Sequence, residues 1–237
     1  MPINKTLLEG AIKLCAELTT PDLSPDPMDF LTCAAWESGL KTTALNVSSR
    51  AAGLIQWMPA NLNAMGLTTD AVLKMDVVAQ LKLCRLWFWP RRAQLVNHVA
   101  WYLAIFSPAF MSNAGDPDWV VFAKAGPRAS WYFQNKQLDF DSDGVVTVGD
   151  MSSTLLKNLA RFPTLEDELK AVKVGVAVSQ AMLTSLRFGQ LKADGVSGPK
   201  TAAAISAFQK SLGDPETGQL AAAQRDELQR RYWAQWP

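Results

Sequence analysis

Histidine is almost absent from this chain, with His98 the single one among 237 residues. Cysteine is sparse and scattered, at Cys15, Cys33 and Cys84. One imidazole and no C-x-x-C spacing do not assemble a His/Cys zinc cluster. No local motif pairs any of these thiols with His98 as nucleophile and base, and His98 is expected as a packed or surface side chain. An odd, dispersed set of thiols points to reduced cysteines and not to a disulfide framework. Excess charge is missing too. A formal net charge of +1 predicts no strong electrostatic pull toward nucleic acid or anionic lipid. Every long apolar run is broken by charge or proline, so no membrane insertion is expected. The first residues read as an amphipathic helix interrupted by Lys5, Glu9, Lys13 and Glu17, without the continuous apolar segment of an export signal. The chain is therefore expected to be made in a cytoplasm and to stay there until something releases it.

Acid is missing from one long stretch: no Asp or Glu stands between Glu37 and Asp70. Asp26, Pro27 and Asp29 read as an N-cap, a first-turn proline and an acidic third residue, and Gly39 reads as the stop of that short helix. Glu37 then falls in the last turn, on the face that carries Phe30, Cys33 and Ala34. The negative end of the helix dipole and an apolar setting both disfavour its charged form and raise its pKa. That is what a general acid working near neutrality needs. On position alone an exposed glutamate at a helix end fits equally well.

Glu37-Ser38, followed by Gly53-Leu54-Ile55-Gln56-Trp57-Met58-Pro59, resembles the signature of soluble lytic transglycosylases. The resemblance implies a lysozyme-like catalytic domain acting on bacterial peptidoglycan. Glu37 would be the acid that protonates the glycosidic oxygen between N-acetylmuramic acid and N-acetylglucosamine. Gln56 would line the sugar groove, Ser48 or Ser49 would supply a groove hydroxyl, and Tyr102 would stand near the acid. Tyr102 also reads as a core aromatic on an apolar helix. Arg50 departs from the pattern by standing where family members usually have Gly. If that Gly has positive φ, the loop is expected to turn differently here.

A common glycosidase needs a second carboxylate, as nucleophile or to activate water, and the stretch after Glu37 supplies none. A transglycosylase avoids the need, because the C6 hydroxyl of muramic acid attacks C1 and closes a 1,6-anhydro ring. Non-hydrolytic cleavage is therefore preferred. Hydrolysis by a muramidase stays open, since Asp70, Asp76, Asp116 or Asp118 could fold back across the groove. A third alternative is a non-catalytic wall-binding protein of a virus particle. The lack of an export signal fits a bacteriophage endolysin or a virion-borne enzyme.

Tryptophan is abundant, with nine residues. Trp36, Trp57, Trp87, Trp89 and Trp101 are either stacking platforms for sugar or core anchors. The segment Asp139-Phe140-Asp141-Ser142-Asp143-Gly144-Val145-Val146-Thr147-Val148-Gly149-Asp150 resembles an EF-hand-like calcium loop. Alternate residues of a tight turn offer oxygens to a hard cation, and a last carboxylate closes the shell. Asp139, Asp141, Asp143, the Val145 carbonyl and Asp150 are the expected ligands, with Asp150 reaching less far than the usual Glu. Calcium here is expected to be structural.

Between these signals the pattern is helical, over 69–89 with Pro90 as the break and again over 94–106. After Pro163 the composition shifts, and Thr164 reads as the cap of a helix with an acidic first turn. Asp194-Gly195-Val196-Ser197-Gly198-Pro199-Lys200-Thr201, with Phe208-Gln209 ending the next helix and Gly218-Gln219-Leu220 beyond, resembles peptidoglycan-binding domain 1. The expected architecture is mainly α: a lysozyme-like domain over 1–165 with its calcium loop at 139–150, and a three-helix peptidoglycan-binding domain over 173–237.

Overall fold

A computed structural model describes residues 3–235, apart from the side chains of Val174 and Trp233. Residues 1–2 and 236–237, the extremes of the two expected domains, lie outside the described residues. The described chain is mainly helical. Leu18–Pro163 forms one compact unit, and the chain before it joins the chain after it in a second.

Helix α1 (Lys5–Leu18) belongs to the second unit over nearly its whole length, whereas chain order alone groups it with the first 165 residues. The backbone of Ile3 donates to the Glu168 carboxylate at 2.9 Å, and Arg225 pairs with Glu9 at 3.5 Å. Contacts of that sequence separation leave no local trace in composition.

In the Leu18–Pro163 unit, α2 (Pro27–Ser38) starts as its caps dictate. The Asp26 side chain accepts from the Met28 N–H at 2.9 Å, and Gly39, at φ 61, returns its N–H to Ala34 and Ala35. The short helices α3 (Pro59–Ala64) and α4 (Thr69–Leu73) follow. The apolar pattern of 69–89 is two helices and not one: Asp76 accepts from the Ala79 N–H at 2.8 Å and begins α5 (Val77–Phe88) afresh. A 3-10 turn (Trp89–Gln94) leads to Asn97, whose side chain caps α6 (His98–Phe106) at the Ala100 N–H. Strand β1 (Val120–Ala123), helix α7 (Ala129–Asn135), strand β2 (Val145–Thr147) and helix α8 (Val148–Leu159) complete the unit. β1 and β2 are antiparallel, with Phe122 opposite Val146 and Ala123 opposite Val145.

α2 packs on both α6 and α8. Phe30 of α2 and Trp101 of α6 meet Phe88 at the end of α5, all three fully buried, with rings edge-on or tilted and centroids 4.5–6.4 Å apart. Such aromatic contacts add about 0.5–1.5 kcal/mol each beyond area burial. The helix carrying Glu37 is thereby fixed along its apolar side.

In the second unit α9 (Leu165–Ser185), α10 (Pro199–Leu212) and α11 (Ala222–Trp233) enclose Leu183, Ile205, Phe208, Leu220 and Leu228. Thr164 precedes α9 without capping it. Its hydroxyl is instead 2.6 Å from the Glu168 carboxylate.

Candidate functional site

Glu37 occupies the last turn of α2, half-buried above the fully buried Phe30, Cys33 and Ala34. Desolvation raises its pKa from 4.5 to about 8. Apolar surroundings penalise the carboxylate and leave the neutral acid as the favoured form near neutrality. Tyr102, on α6, is buried at 4% exposure. Burial pushes its phenol well above the ordinary value, the charge of Glu37 adds to the rise, and a hydrogen bond with the Trp36 side chain opposes it. The Cys33 thiol is likewise pushed up, by burial first and then by Glu37 and Cys84. Glu37, Tyr102, Cys33 and Trp36 thus form one electrostatically linked group at the α2–α6 contact.

The chain after α2 makes a compact loop. Ala52 bridges antiparallel to both Leu45 and Trp57, with Ala52 and Trp57 exchanging backbone bonds at 3.2 and 3.0 Å. Gly53 sits at φ 80, and a Cβ there would lie 2.7 Å from Gln80 Oε1 and 3.1 Å from the Trp57 ring. A side chain there would have to displace Gln80 and hold a backbone conformation that L residues rarely adopt. Gln56, at φ 50, donates its amide to the carbonyls of Ala44 and Gly53 at 3.2 and 3.0 Å. Its amide nitrogen therefore fastens the loop on itself.

Ser48 is exposed and Ser49 partly so, and both backbone N–H groups donate to the Asn46 side chain. The Ser49 hydroxyl accepts from the Ala51 N–H at 3.3 Å. Among the described residues no hydrogen bond joins either serine to Glu37. Arg50 corrects one expectation. It adopts φ 61 itself, so the loop keeps the left-handed turn without a glycine. Its guanidinium meets Asp70 at 2.9 Å, and its carbonyl accepts from the Thr69 hydroxyl at 3.1 Å.

Gln80 carries a role that the sequence reading missed. It is fully buried, its Oε1 accepts from the Leu54 N–H at 2.9 Å, and its Nε2 donates to the carbonyls of Thr42 and Val72 at 2.8 and 2.9 Å. One side chain therefore ties the loop after α2 to α4 and α5. The available signal is a lone amide on the buried face of α5, in line with Cys84 and Phe88.

The tryptophans divide by burial. Trp57 and Trp101 are core residues, Trp36 and Trp87 are partly covered, and Trp89 is 40% exposed. His98 is packed, with Nε2 2.8 Å from the Ser152 hydroxyl and Nδ1 3.5 Å from Asp29.

The acidic turn lies between α7 and α8. Asp139, Asp141 and Asp143 bring carboxylate oxygens within 4.8 Å of one another. Asp139 is buried, and its Oδ2 accepts from the Tyr132 hydroxyl at 2.7 Å and the Gly144 N–H at 3.0 Å. Its Oδ1 is buried with no protein partner. Calcium takes oxygens at 2.3–2.6 Å and so spans oxygens up to about 5 Å apart. The triad and its orphaned oxygen fit such an ion. Val145 opens β2, and Val146 is fully buried behind it. Asp150 stands outside the triad, because its Oδ2 closes a capping box on the Thr147 N–H and hydroxyl at 2.9 and 2.6 Å. The short aspartate is drawn back to the start of α8.

The second unit repeats one device twice. Gln180 accepts from the Gly195 N–H at 3.0 Å and donates to Thr201 and the Val196 carbonyl. Gln209 accepts from the Gly218 N–H at 3.0 Å and donates to Thr217 and the Gln219 carbonyl. Each buried amide staples a glycine turn to the helix before it. Residues 174–228 match the family described as a putative peptidoglycan binding domain. The chain thus carries a peptidoglycan-binding domain near its C-terminus. No curated protein and no solved structure shows significant similarity to the chain. No helix among the described residues is long and apolar enough to cross a membrane.

Proposed function

We propose that the protein is a peptidoglycan lytic transglycosylase with a lysozyme-like catalytic domain. Glu37 donates its proton to the glycosidic oxygen between N-acetylmuramic acid and N-acetylglucosamine as the bond from C1 to that oxygen breaks. The resulting carboxylate takes the proton of the muramic acid C6 hydroxyl while O6 bonds to C1. The 1,6-anhydro sugar forms and Glu37 is again neutral. One observation carries this reading: a half-buried carboxyl with its pKa raised to about 8 by desolvation, matched to general-acid work near neutrality. The next acids along the chain favour the route without hydrolysis. Asp70 is paired with Arg50, and Asp76 caps α5.

The peptidoglycan-binding domain supports the same polymer as substrate. A tethered binding module raises the local substrate concentration for the other unit. In the acidic turn, Asp139, Asp141 and Asp143 would hold calcium, joined by the Val145 carbonyl and by Asp150 if it leaves its cap. Bound calcium would supply charge neutralisation and order to the turn ahead of α8. A bacteriophage wall-degrading enzyme, acting in lysis or from the particle, is the setting this reading suggests.

Chromatography with mass spectrometry of digested purified wall tests the proposal. Anhydro-muramic ends are expected. Reducible muramic ends would replace it with the muramidase reading, and an undigested wall with the binding-only one.

A further inference from the structure

The outward row of α5 mixes side chains that a purely solvated helix face does not combine. Val78, Lys82 and Leu86 follow one another four residues apart on one side of α5, and Trp89, the first residue of the 3-10 turn, comes three residues on. The apolar members are exposed at 39%, 60% and 40%. The opposite side, with Cys84 and Phe88, is fully buried, so the outer row is not needed for the core. Past Trp89 come Arg91 and Arg92, both partly buried, whose guanidiniums each donate to a backbone carbonyl, of Trp87 and Trp89 respectively, at 2.9 Å. The Arg92 guanidinium lies 4.1 Å from the Trp89 ring centre, and that of Arg91 lies 5.3 Å from Trp87. An open groove of about 470 Å³ runs alongside, lined by Asn61, Met65, Leu83, Leu86, Trp87 and Arg91. No Asp or Glu occurs between Asp76 and Asp116. A chain of net charge +1 therefore carries a segment of single sign, which the whole-chain sum conceals.

We propose that this ridge docks on an anionic lipid surface, lying in the interface without crossing it. Trp89, Leu86 and Val78 enter the boundary between headgroups and acyl chains, while Lys82, Arg91 and Arg92 meet the lipid phosphates. Tryptophan and arginine both favour that layer, the ring for its amphipathic character and the arginine for its long apolar stem and charged tip. A dissolved polyanion would satisfy the cations and leave Leu86 and Val78 in water. A bilayer accommodates both halves of the surface. The docking is independent of the reaction proposed for Glu37.

The test is co-sedimentation of the full chain with sucrose-loaded vesicles, of phosphatidylethanolamine and phosphatidylglycerol at three to one or of phosphatidylcholine alone. Binding to the anionic vesicles only, weakening as salt is raised, is expected. Arg91→Gln with Arg92→Gln should lower the affinity about tenfold or more, and Leu86→Ser with Trp89→Ser should lower it comparably. Thermal melting of both double variants confirms that they fold. Equal pelleting with both lipids overturns the proposal. So does loss in the arginine variant with none in the apolar one, which marks a polyanion site. The Glu37→Gln variant should pellet as the wild type does, which separates docking from catalysis.

Discussion

Glu37 and Asp139 are both carboxylates drawn into the protein, and their proton affinities move in opposite directions. Desolvation drives Glu37, and its pKa rises to about 8. Desolvation also pushes Asp139 upward, but the Tyr132 hydroxyl and the Gly144 N–H lead the donors that outweigh it, and the net shift is down. Burial alone therefore does not decide what a carboxyl becomes. Donors aimed at the charged form keep Asp139 an anion suited to a cation, and with none among the described residues aimed at Glu37, that carboxyl holds a proton suited to transfer.

The sharpest way to break this contrast is to remove the proton at Glu37 while keeping the shape. Glu37→Gln should lower clearing of purified cell wall by about 10²–10⁴-fold, the range of general acid catalysis. Its melting temperature should not fall, because Glu37 is neutral near pH 7 and among the described residues it makes no hydrogen bond to lose. Full clearing by this variant would falsify the acid assignment.

At the other carboxylate the same amide exchange should act on stability. Asp139→Asn strips charge from an acceptor that two donors need, at a cost of about 1–3 kcal/mol. For a unit of this size each kcal/mol lowers the melting temperature by about 2–4 °C. Chelation of the wild type should also lower its melting temperature, with recovery on adding calcium, and Asp139→Asn should not respond to either treatment. A wild-type melting curve indifferent to chelator and calcium would remove the ion from the account.

The two shifts also predict opposite pH slopes. Glu37 binds its proton more tightly folded than unfolded, so its contribution to stability is fullest below pH 4.5 and falls as pH rises from there to about 8. Asp139 binds its proton less tightly when folded. Its contribution is present above 3.8 and is lost as pH falls through its lowered folded value. Denaturant titrations across pH should show Glu37→Gln flattening the decline between pH 4.5 and 8 without altering the acid limb. An unchanged neutral slope would mean that Glu37 ionises normally in the fold.

Local chemistry made much of this legible. Asp26, Pro27 and Gly39 fixed the ends of α2 because caps act within a few residues. The turn at 139–144 was legible because its oxygens come from alternate residues of one segment. What stayed hidden depends on distance along the chain. Gln80 reaches carbonyls 38 and 8 residues away, and α1 joins helices that begin after residue 163. The break at Asp76 was hidden differently. An aspartate inside an apolar pattern reads as a solvent-facing position until its side chain is seen to cap the Ala79 N–H. The family match is confined to 174–228, where the Gly195 and Gly218 turns each lie a short way after their stapling glutamine.

The smallest expected effect lies at Arg50, where an exposed ion pair and a strained backbone oppose each other. A non-glycine residue at φ 61 costs roughly 1–2 kcal/mol. The Arg50–Asp70 pair, exposed by 50% and 73% at its two side chains, returns about 0–1 kcal/mol. Arg50→Gly relieves the strain and loses the pair, while adding about 0.5–1 kcal/mol of chain entropy cost. The net change should stay within about 1 kcal/mol. Arg50→Ala loses the pair and keeps the strain, so the glycine variant should melt higher than the alanine one. An alanine variant that melts higher than the glycine one would show that the left-handed turn carries less strain than the chain entropy glycine costs. The pair itself is read from Arg50→Ala against the wild type, where a loss of more than about 1 kcal/mol would exceed what an exposed ion pair returns.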